Sequence, residues 1–125
     1  MRQVDTILLV EDIAKSKRFY TEILSFEIIH DWGNMVIFKD RLSLHQANKL
    51  LPSIETKKFI KEGKQGSNNI IIYIELEDQN IETVYSELQS KNISFIHGIQ
   101  KLPWQRIFRI MDPDNYIIEI GEKQS

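Results

Sequence analysis

The chain has 125 residues, with 18 acidic side chains, 16 basic side chains and no cysteine. This length suits one domain with a proper hydrophobic core. The lack of cysteine excludes disulfides, thiolate nucleophiles and cysteine-ligated zinc. The formal net charge of -2 lacks the basic excess of nucleic-acid-binding proteins, and no apolar run approaches the roughly 20 residues of a membrane span. With no signal pattern at the start of the sequence, we expect a cytoplasmic protein that binds neither nucleic acid nor membrane.

The first half of the sequence divides into five elements by its hydrophobic periodicity. Asp12 suits the N-cap of the single helix, because its carboxylate can accept a free backbone N–H of the first turn. The predicted elements are a strand over 4–10, a helix from Asp12 to about Leu24, a strand over 26–30, and a hairpin of 35–38 with 42–45.

The second half repeats this order. Asp78 or Asn80 suits the N-cap of its helix. The predicted elements are a strand over 70–76, a helix from Ile81 to about Lys91, a strand over 93–97, and a hairpin of 107–110 with 117–120. The sequence therefore predicts an α+β fold built from two βαβββ modules.

Residue matches support this repeat. Val10-Glu11-Asp12 corresponds to Leu76-Glu77-Asp78, and His30 corresponds to His97. A module of about 50 residues presents a sheet with a helix on one face, so two modules must pair to close a core. We therefore predict a single domain over 1–125, with modules over about 4–46 and 69–122.

The connection over 47–68 is longer than the usual connection of roughly 4 to 6 residues. Part of it, 53–61, suits a short helix with Ser53 as its cap. A connection of this length is typical of a lid, a subunit contact or a solvated crossover.

Glu119 is the residue that points most directly to function. In the strand Ile-Ile-Glu-Ile it lies on the face opposite Ile118 and Ile120, since successive side chains alternate. If that face lines a concave surface, the carboxylate requires a cation, a hydrogen-bond donor or a ligand, because burying it alone is costly.

Two features of the chain resemble the vicinal oxygen chelate superfamily. One is the pair of βαβββ units, and the other is a pair of sequence stretches. These are Glu-Asp-Ile-Ala-Lys-Ser-Lys-Arg-Phe-Tyr-Thr-Glu-Ile-Leu over 11–24 and Asp-Pro-Asp-Asn-Tyr-Ile-Ile-Glu-Ile over 112–120. That superfamily includes glyoxalase I, bleomycin-resistance proteins and extradiol dioxygenases. The resemblance implies a cupped, half-barrel-like mixed sheet with helices outside, a ligand pocket on its concave face, and a homodimer.

The resemblance also implies where a metal would bind, namely on the first and last strands of each module. Carried over residue by residue, these positions are Asp5 and Ile71 on the first strands, and Ser43 and Glu119 on the last, with His45 one step beyond Ser43. Isoleucine cannot ligate a metal, and a catalytic divalent ion needs about three protein ligands. We therefore expect no metal cofactor. The alternative is a divalent ion held by Glu119, Asp5 and His45.

Four further residues are candidates for ligand contact. Trp104 and Arg106 lie in Leu-Pro-Trp-Gln-Arg, which resembles a Pro-Trp-Gly-Gln-Arg stretch of glyoxalase-like members, although the glycine is absent. Trp104 could stack on a ligand ring, and Arg106 could meet an anionic group or neutralise Glu119. Trp32 and Phe38 occupy the equivalent region of the first module. The simpler interpretation of the four is core packing and a solvated arginine.

Histidine supplies the candidate for a general base. His45 is predicted on a strand that faces the pocket, so His45 and Glu119 are the catalytic candidates if the protein is an enzyme. His30 and His97, as repeat mates at strand ends, indicate a structural position.

The leading hypothesis is a glyoxalase/bleomycin-resistance-like protein that binds a small organic molecule in the cleft between the two modules, without a catalytic metal. Glu119 would be the pocket acid, with Ile71, Trp104 and Phe38 as apolar walls. One alternative is a divalent-metal-dependent lyase or dioxygenase of the same superfamily. Another is a non-catalytic dimeric interaction module.

Overall fold

A computed structural model gives the structure of the chain, described for residues 1–51, 64–67 and 70–124. It divides into two compact units, Met1–Gln65 and Gly66–Ser125. The division falls inside the predicted connection, and the helix predicted over 53–61 lies outside the described residues. None of the helices in the described ranges is long and apolar enough to cross a membrane.

The first unit has the predicted βαβββ order. Its sheet has the strand order β1-β4-β3-β2, with β1 parallel to β4 and the other neighbours antiparallel. Its elements are β1 (Thr6–Val10), α1 (Ile13–Arg18), a π-helical turn (Phe19–Ile23), β2 (Ile28–Asp31), β3 (Met35–Phe38), β4 (Leu42–Gln46) and a short 3-10 turn (Ala47–Lys49).

Helix α1 begins as predicted but ends at Arg18, whereas the prediction placed its end near Leu24. The Asp12 carboxylate accepts the N–H of Lys15 at 3.2 Å, which confirms the N-cap. After Arg18 the helix widens into the π-helical turn, in which the N–H of Leu24 donates to the carbonyl of Phe19. This turn carries the fully buried Tyr20 into the core of the unit.

Phe38 belongs to that core. Its ring centroid lies 5.7 Å from those of Tyr20 and Phe26, and only 1% of the residue is exposed. Because side chains alternate along β3, Phe38 shares the helix-covered face with the buried Val36. The prediction that Phe38 is a wall of a ligand pocket was therefore wrong.

The second unit repeats the order of the first. Its sheet has the strand order β5-β8-β7-β6, with β5 parallel to β8. Asn80, the second of the two predicted caps, accepts the N–H groups of Glu82 and Thr83 at 2.9 and 3.1 Å. The elements are β5 (Ile71–Glu75), α2 (Ile81–Gln89), β6 (Ser94–Lys101), β7 (Arg106–Met111) and β8 (Ile117–Gly121).

The strand registers identify which residues of the two units are equivalent. In each unit the last strand lies between the parallel first strand and the antiparallel third strand. By this criterion Ser43 on β4 corresponds to Glu119 on β8, as the sequence predicted. The residues paired with these two are Ile7 and Ile37 in the first unit, and Tyr73 and Arg109 in the second.

A tight turn between β7 and β8 sets the register of that hairpin. The buried Asp112 carboxylate accepts the N–H groups of Asp114 and Tyr116 at 2.8 and 2.9 Å. Gly66 packs against this turn with a φ of +60°, and a Cβ at Gly66 would lie 2.3 Å from the carbonyl oxygen of Asp114. Glycine is required here for two reasons, the positive φ and the close approach of two backbones.

We expect Gly66→Ala to destabilise the protein more than Gly33→Ala. Both glycines have a positive φ, which costs alanine about 1–2 kcal/mol, but nothing lies within 4 Å of a Cβ at Gly33. The difference between the two variants therefore isolates the backbone clash. Urea denaturation followed by circular dichroism measures it, and equal unfolding midpoints for the two variants would contradict the prediction.

Candidate polar site on the second sheet

The second sheet carries a line of polar side chains on the face opposite helix α2. Four residues are register neighbours across its four strands. Strand alternation places them on the face opposite the buried Phe108, whose ring contacts that of Tyr85 on α2. We call this face the helix-free face, and the four residues the polar row: Tyr73 on β5, Glu119 on β8, Arg109 on β7 and His97 on β6.

Arg109 and Glu119 form an ion pair at the centre of the polar row. The Nε and Nη2 atoms of Arg109 lie 2.9 and 2.7 Å from Oε1 of Glu119. The two side chains are 29% and 17% exposed. The pair is thus partly shielded from water, which strengthens it relative to a surface ion pair. The partner that the Glu119 carboxylate requires is supplied by the protein itself.

His97 extends the polar row on the other side of Arg109. Its Nε2 lies 3.1 Å from Nη1 of Arg109, and its Nδ1 lies 2.8 Å from the carbonyl oxygen of Gly98. A carbonyl only accepts and a guanidinium only donates, so Nδ1 carries the hydrogen and Nε2 accepts. The imidazole in this arrangement is neutral. His97 therefore orients Arg109, a role that the repeat symmetry did not reveal.

Tyr73, at the other end of the polar row, is held by Gln105. The buried Gln105 amide donates to the Tyr73 hydroxyl at 3.0 Å and to the carbonyl of Glu122 at 2.7 Å. Gly121 leaves the space for this amide, since a Cβ there would lie 2.5 Å from Nε2 of Gln105. The Tyr73 hydroxyl is thereby occupied, and the ring remains as accessible surface.

The equivalent row of the first unit has two apolar and two polar residues. Ile7, Ser43, Ile37 and His30 occupy the four positions. Ser43 is buried and its hydroxyl donates to Oδ2 of Asp5, while Oδ1 of Asp5 accepts the N–H of Thr6 at 2.8 Å. The two predicted metal positions of this unit therefore bond to each other.

His45 lies on the same face of the first sheet, in register with Leu9 and Met35. Its Nδ1 lies 2.9 Å from the carbonyl oxygen of Gln46, the arrangement that His97 makes with Gly98. Because a carbonyl oxygen only accepts, Nδ1 of His45 carries a hydrogen. A role for His45 as a general base stays a prediction.

The two tryptophans predicted to contact a ligand are exposed. Trp32 stacks on His30, with ring centroids 5.0 Å apart and planes 5° from parallel. Trp104 follows β6 and is 62% exposed. Ile71 is exposed on the helix-free face two residues before Tyr73. Ligand contact by these three residues stays a prediction.

Arg106 is engaged away from the polar row. Its guanidinium contacts Glu82 at 2.6 Å and Glu122 at 3.1 Å, linking the first turn of α2 to the residue after β8. The bonds from Arg106 hold the pKa of Glu122 below its ordinary value. The suggestion that Arg106 neutralises Glu119 was wrong, because the strand register places Arg109 there instead.

The donor set does not fit the divalent metal that the resemblance implies. In the second unit Glu119 is paired with a guanidinium, and Ile71 occupies the first-strand position that the resemblance assigns to a metal ligand. In the first unit Asp5 and Ser43 bond to each other. A metal at Glu119 would have to displace Arg109 and would then lie beside its positive charge. Within residues 1–51, 64–67 and 70–124, no three His, Asp or Glu side chains are grouped to hold a metal ion.

Arg109 is the main residue that sequence reasoning missed, because Asp-Pro-Asp-Asn-Tyr indicates a turn without fixing which two residues close it. The turn pairs Asp112 with Tyr116. Counting outwards from that pair along the two antiparallel strands places Arg109 opposite Glu119. The interactions of His97 and Gln105 cannot be found by counting residues in this way, because the register of β6 shifts near His97 and Gln105 lies in a loop.

Comparison with known proteins yields a family match over nearly the whole chain. A family model described as a glyoxalase-like domain matches residues 4–125. Lactoylglutathione lyase of Schizosaccharomyces pombe is 27% identical over 142 residues, covering 92% of this chain and 45% of that enzyme. The chain therefore spans less than half the length of that relative.

Solved structures share the fold. The crystal structure of a protein of unknown function from Agrobacterium tumefaciens is 31% identical, with a TM-score of 0.83, and the match covers 98% of this chain and 94% of that one. TnmS3, an antibiotic binding protein from Streptomyces sp. CB03234, is 20% identical with a TM-score of 0.69, covering 100% of this chain and 97% of that one.

We expect the Arg109–Glu119 pair to be energetically coupled. A double-mutant cycle with Arg109→Gln and Glu119→Gln should give a coupling of about 1 kcal/mol, because the charges face each other across adjacent strands and are partly shielded. The exposed Lys17–Asp31 pair, with side chains 38% and 36% exposed, is the matched control. Its coupling should be smaller. Urea denaturation measures both, and equal couplings would argue against a special environment for Arg109.

Glu122 should contribute to stability in a pH-dependent way. Arg106 lowers the pKa of Glu122 in the folded state below the ordinary value of 4.5, so its stabilising effect is complete above that value and disappears as the pH falls through the folded-state pKa. Glu122→Gln should therefore destabilise the protein at neutral pH and differ little from wild type in acid. Denaturation across the pH range checks this, and a pH-independent difference would contradict it.

Proposed function

Because the chain belongs to the glyoxalase-like domain family of the vicinal oxygen chelate superfamily, we propose that it binds a small organic molecule on the helix-free face of its second sheet, without a catalytic metal. The observation that carries this proposal is the ion pair of Glu119 with Arg109. It gives the acid at the superfamily's last-strand position a cation from the protein itself. The same face offers both a polar centre and apolar surface, as a binding site for an organic molecule requires.

The apolar part of this surface supports an organic ligand. Ile71 and Tyr73 are 52% and 45% exposed on the helix-free face, and Ile117 is the register partner of Ile71 on β8. Covering such side chains with an apolar molecule gains roughly 25 cal/mol for each Å² removed from water. TnmS3, an antibiotic binding protein, shares the fold of this chain.

A metal-dependent lyase is the second candidate, favoured by the similarity to lactoylglutathione lyase. In that case a divalent ion would supply Lewis-acid chemistry, and the Glu119 carboxylate would have to exchange Arg109 for the metal. The residues at the positions that the resemblance assigns to metal ligands argue against this candidate, because Ile71 cannot ligate a metal and Asp5 is bonded to Ser43. Elemental analysis separates the two directly.

We expect protein purified without chelator to contain no stoichiometric divalent metal, and its melting temperature to be unchanged by EDTA. A screen of small organic compounds should yield compounds that raise the melting temperature. Ile71→Glu should abolish that rise, whereas Ile29→Glu, with nearly the same exposure on the edge strand β2, should not. Stoichiometric nickel, zinc, manganese or iron that is lost in Glu119→Gln but kept in Asp31→Asn would overturn the proposal in favour of the lyase.

A further inference from the structure

Building on the proposed function, we infer that the polar row recognises a neutral ligand group that presents a hydrogen-bond acceptor beside a donor, as a carboxamide or lactam does. The acceptor takes N–H groups of Arg109, and the donor gives its hydrogen to Glu119. Three features of the polar row lead to this ligand class: unused donors, an unused acceptor, and a balanced charge.

The donors belong to Arg109. A guanidinium has five N–H groups. Nε donates to Glu119 and Nη1 to His97, while Nη2 makes only an ion-pair contact with Glu119. Within the described part of the chain, the two N–H groups of Nη2 and the second one of Nη1 make no hydrogen bond, and the side chain is 29% exposed. A carbonyl or carboxyl oxygen of a ligand can accept them.

The acceptor belongs to Glu119. Both contacts from Arg109 converge on Oε1, so Oε2 has no hydrogen-bond partner among residues 1–51, 64–67 and 70–124. A carboxylate oxygen accepts and never donates. Any ligand group that meets Oε2 must therefore carry an N–H or O–H.

The charge balance excludes ligand groups that meet only one of these needs. Arg109 and Glu119 cancel, His97 is neutral in its bonding arrangement, and the Tyr73 hydroxyl is occupied by Gln105. A carboxylate would gain from Arg109 but lie close to the Glu119 charge, and an ammonium would meet the opposite conflict. A neutral amide satisfies both residues without adding a charge.

Three apolar residues beside the polar row offer a surface for the apolar body of the ligand. Ile71, Ile117 and Met111 are register neighbours, two positions from the polar row on the same face. Ile71 is exposed, and the other two are partly exposed. An apolar ring or chain attached to the amide can lie over these three side chains.

Three probes with the same phenyl body test this inference: phenylacetamide, phenylacetate and phenethylammonium. Binding is measured by titration of the ¹H–¹⁵N spectrum of the full chain. We expect wild type to prefer phenylacetamide by about tenfold, a difference within reach of one charge-assisted hydrogen bond. Glu119→Gln leaves the polar row with one positive charge and should shift the preference to phenylacetate. Arg109→Gln leaves one negative charge and should shift it to phenethylammonium.

Lys17→Gln and Asp31→Asn are the matched controls, because they make the same charge changes in an ion pair of the first unit. These two variants should bind the three probes with the same order of affinity as wild type does. If a single variant of the polar row does not fold, the exchange Arg109→Glu with Glu119→Arg keeps the pair neutral and should keep the preference for phenylacetamide.

The inference is wrong if phenylacetamide causes no shift in wild type, if a charged probe binds wild type as tightly, or if the order is the same in Glu119→Gln and Arg109→Gln. These outcomes differ from failure of the proposed function. That failure would appear as stoichiometric metal bound through Glu119 and no stabilisation by any organic compound.

Discussion

The register of the β7–β8 hairpin is the constraint on which the candidate site depends. The buried Asp112 carboxylate holds the turn by accepting two backbone N–H groups, and Asp112 and Tyr116 close the hairpin. Arg109 thereby lies directly opposite Glu119. A slip of one residue would move one of these side chains to the helix-covered face, where an unpaired charge would be very costly. Stability of the turn and formation of the site are therefore linked.

The two units show how one backbone arrangement supports different surfaces. At equivalent register positions the first unit has Ser43 and Ile37, and the second has Glu119 and Arg109. In the first unit, Ser43 bonds to Asp5, and the row itself contains no acidic residue, lysine or arginine. The charged pair thus lies on the second unit, while the fold of both units depends on the same βαβββ order.

The guanidinium beside Glu119 bears on what the superfamily's acidic position can do. A divalent ion polarises oxygen atoms and holds them at short range. A guanidinium fixed by Glu119 on one side and by His97 on the other offers directional N–H groups instead. The proposed recognition of a carbonyl group depends on these N–H groups. The homodimer and the cytoplasmic location stay predictions.

The sequence by itself determined the order of strands and helices, the cap at Asp12 and the equivalence of Ser43 with Glu119, and it narrowed the second cap to Asp78 or Asn80, because alternation, capping chemistry and internal repetition are local signals. It also singled out Glu119 as the acid that needs a partner. Only the tertiary structure decided that Arg109 and not Arg106 is that partner, that His97 orients the pair, and that Phe38 lies in the core. Those outcomes depend on pairing between strands and on which sheet face the helix covers, and neither is encoded in the spacing of residues along one strand.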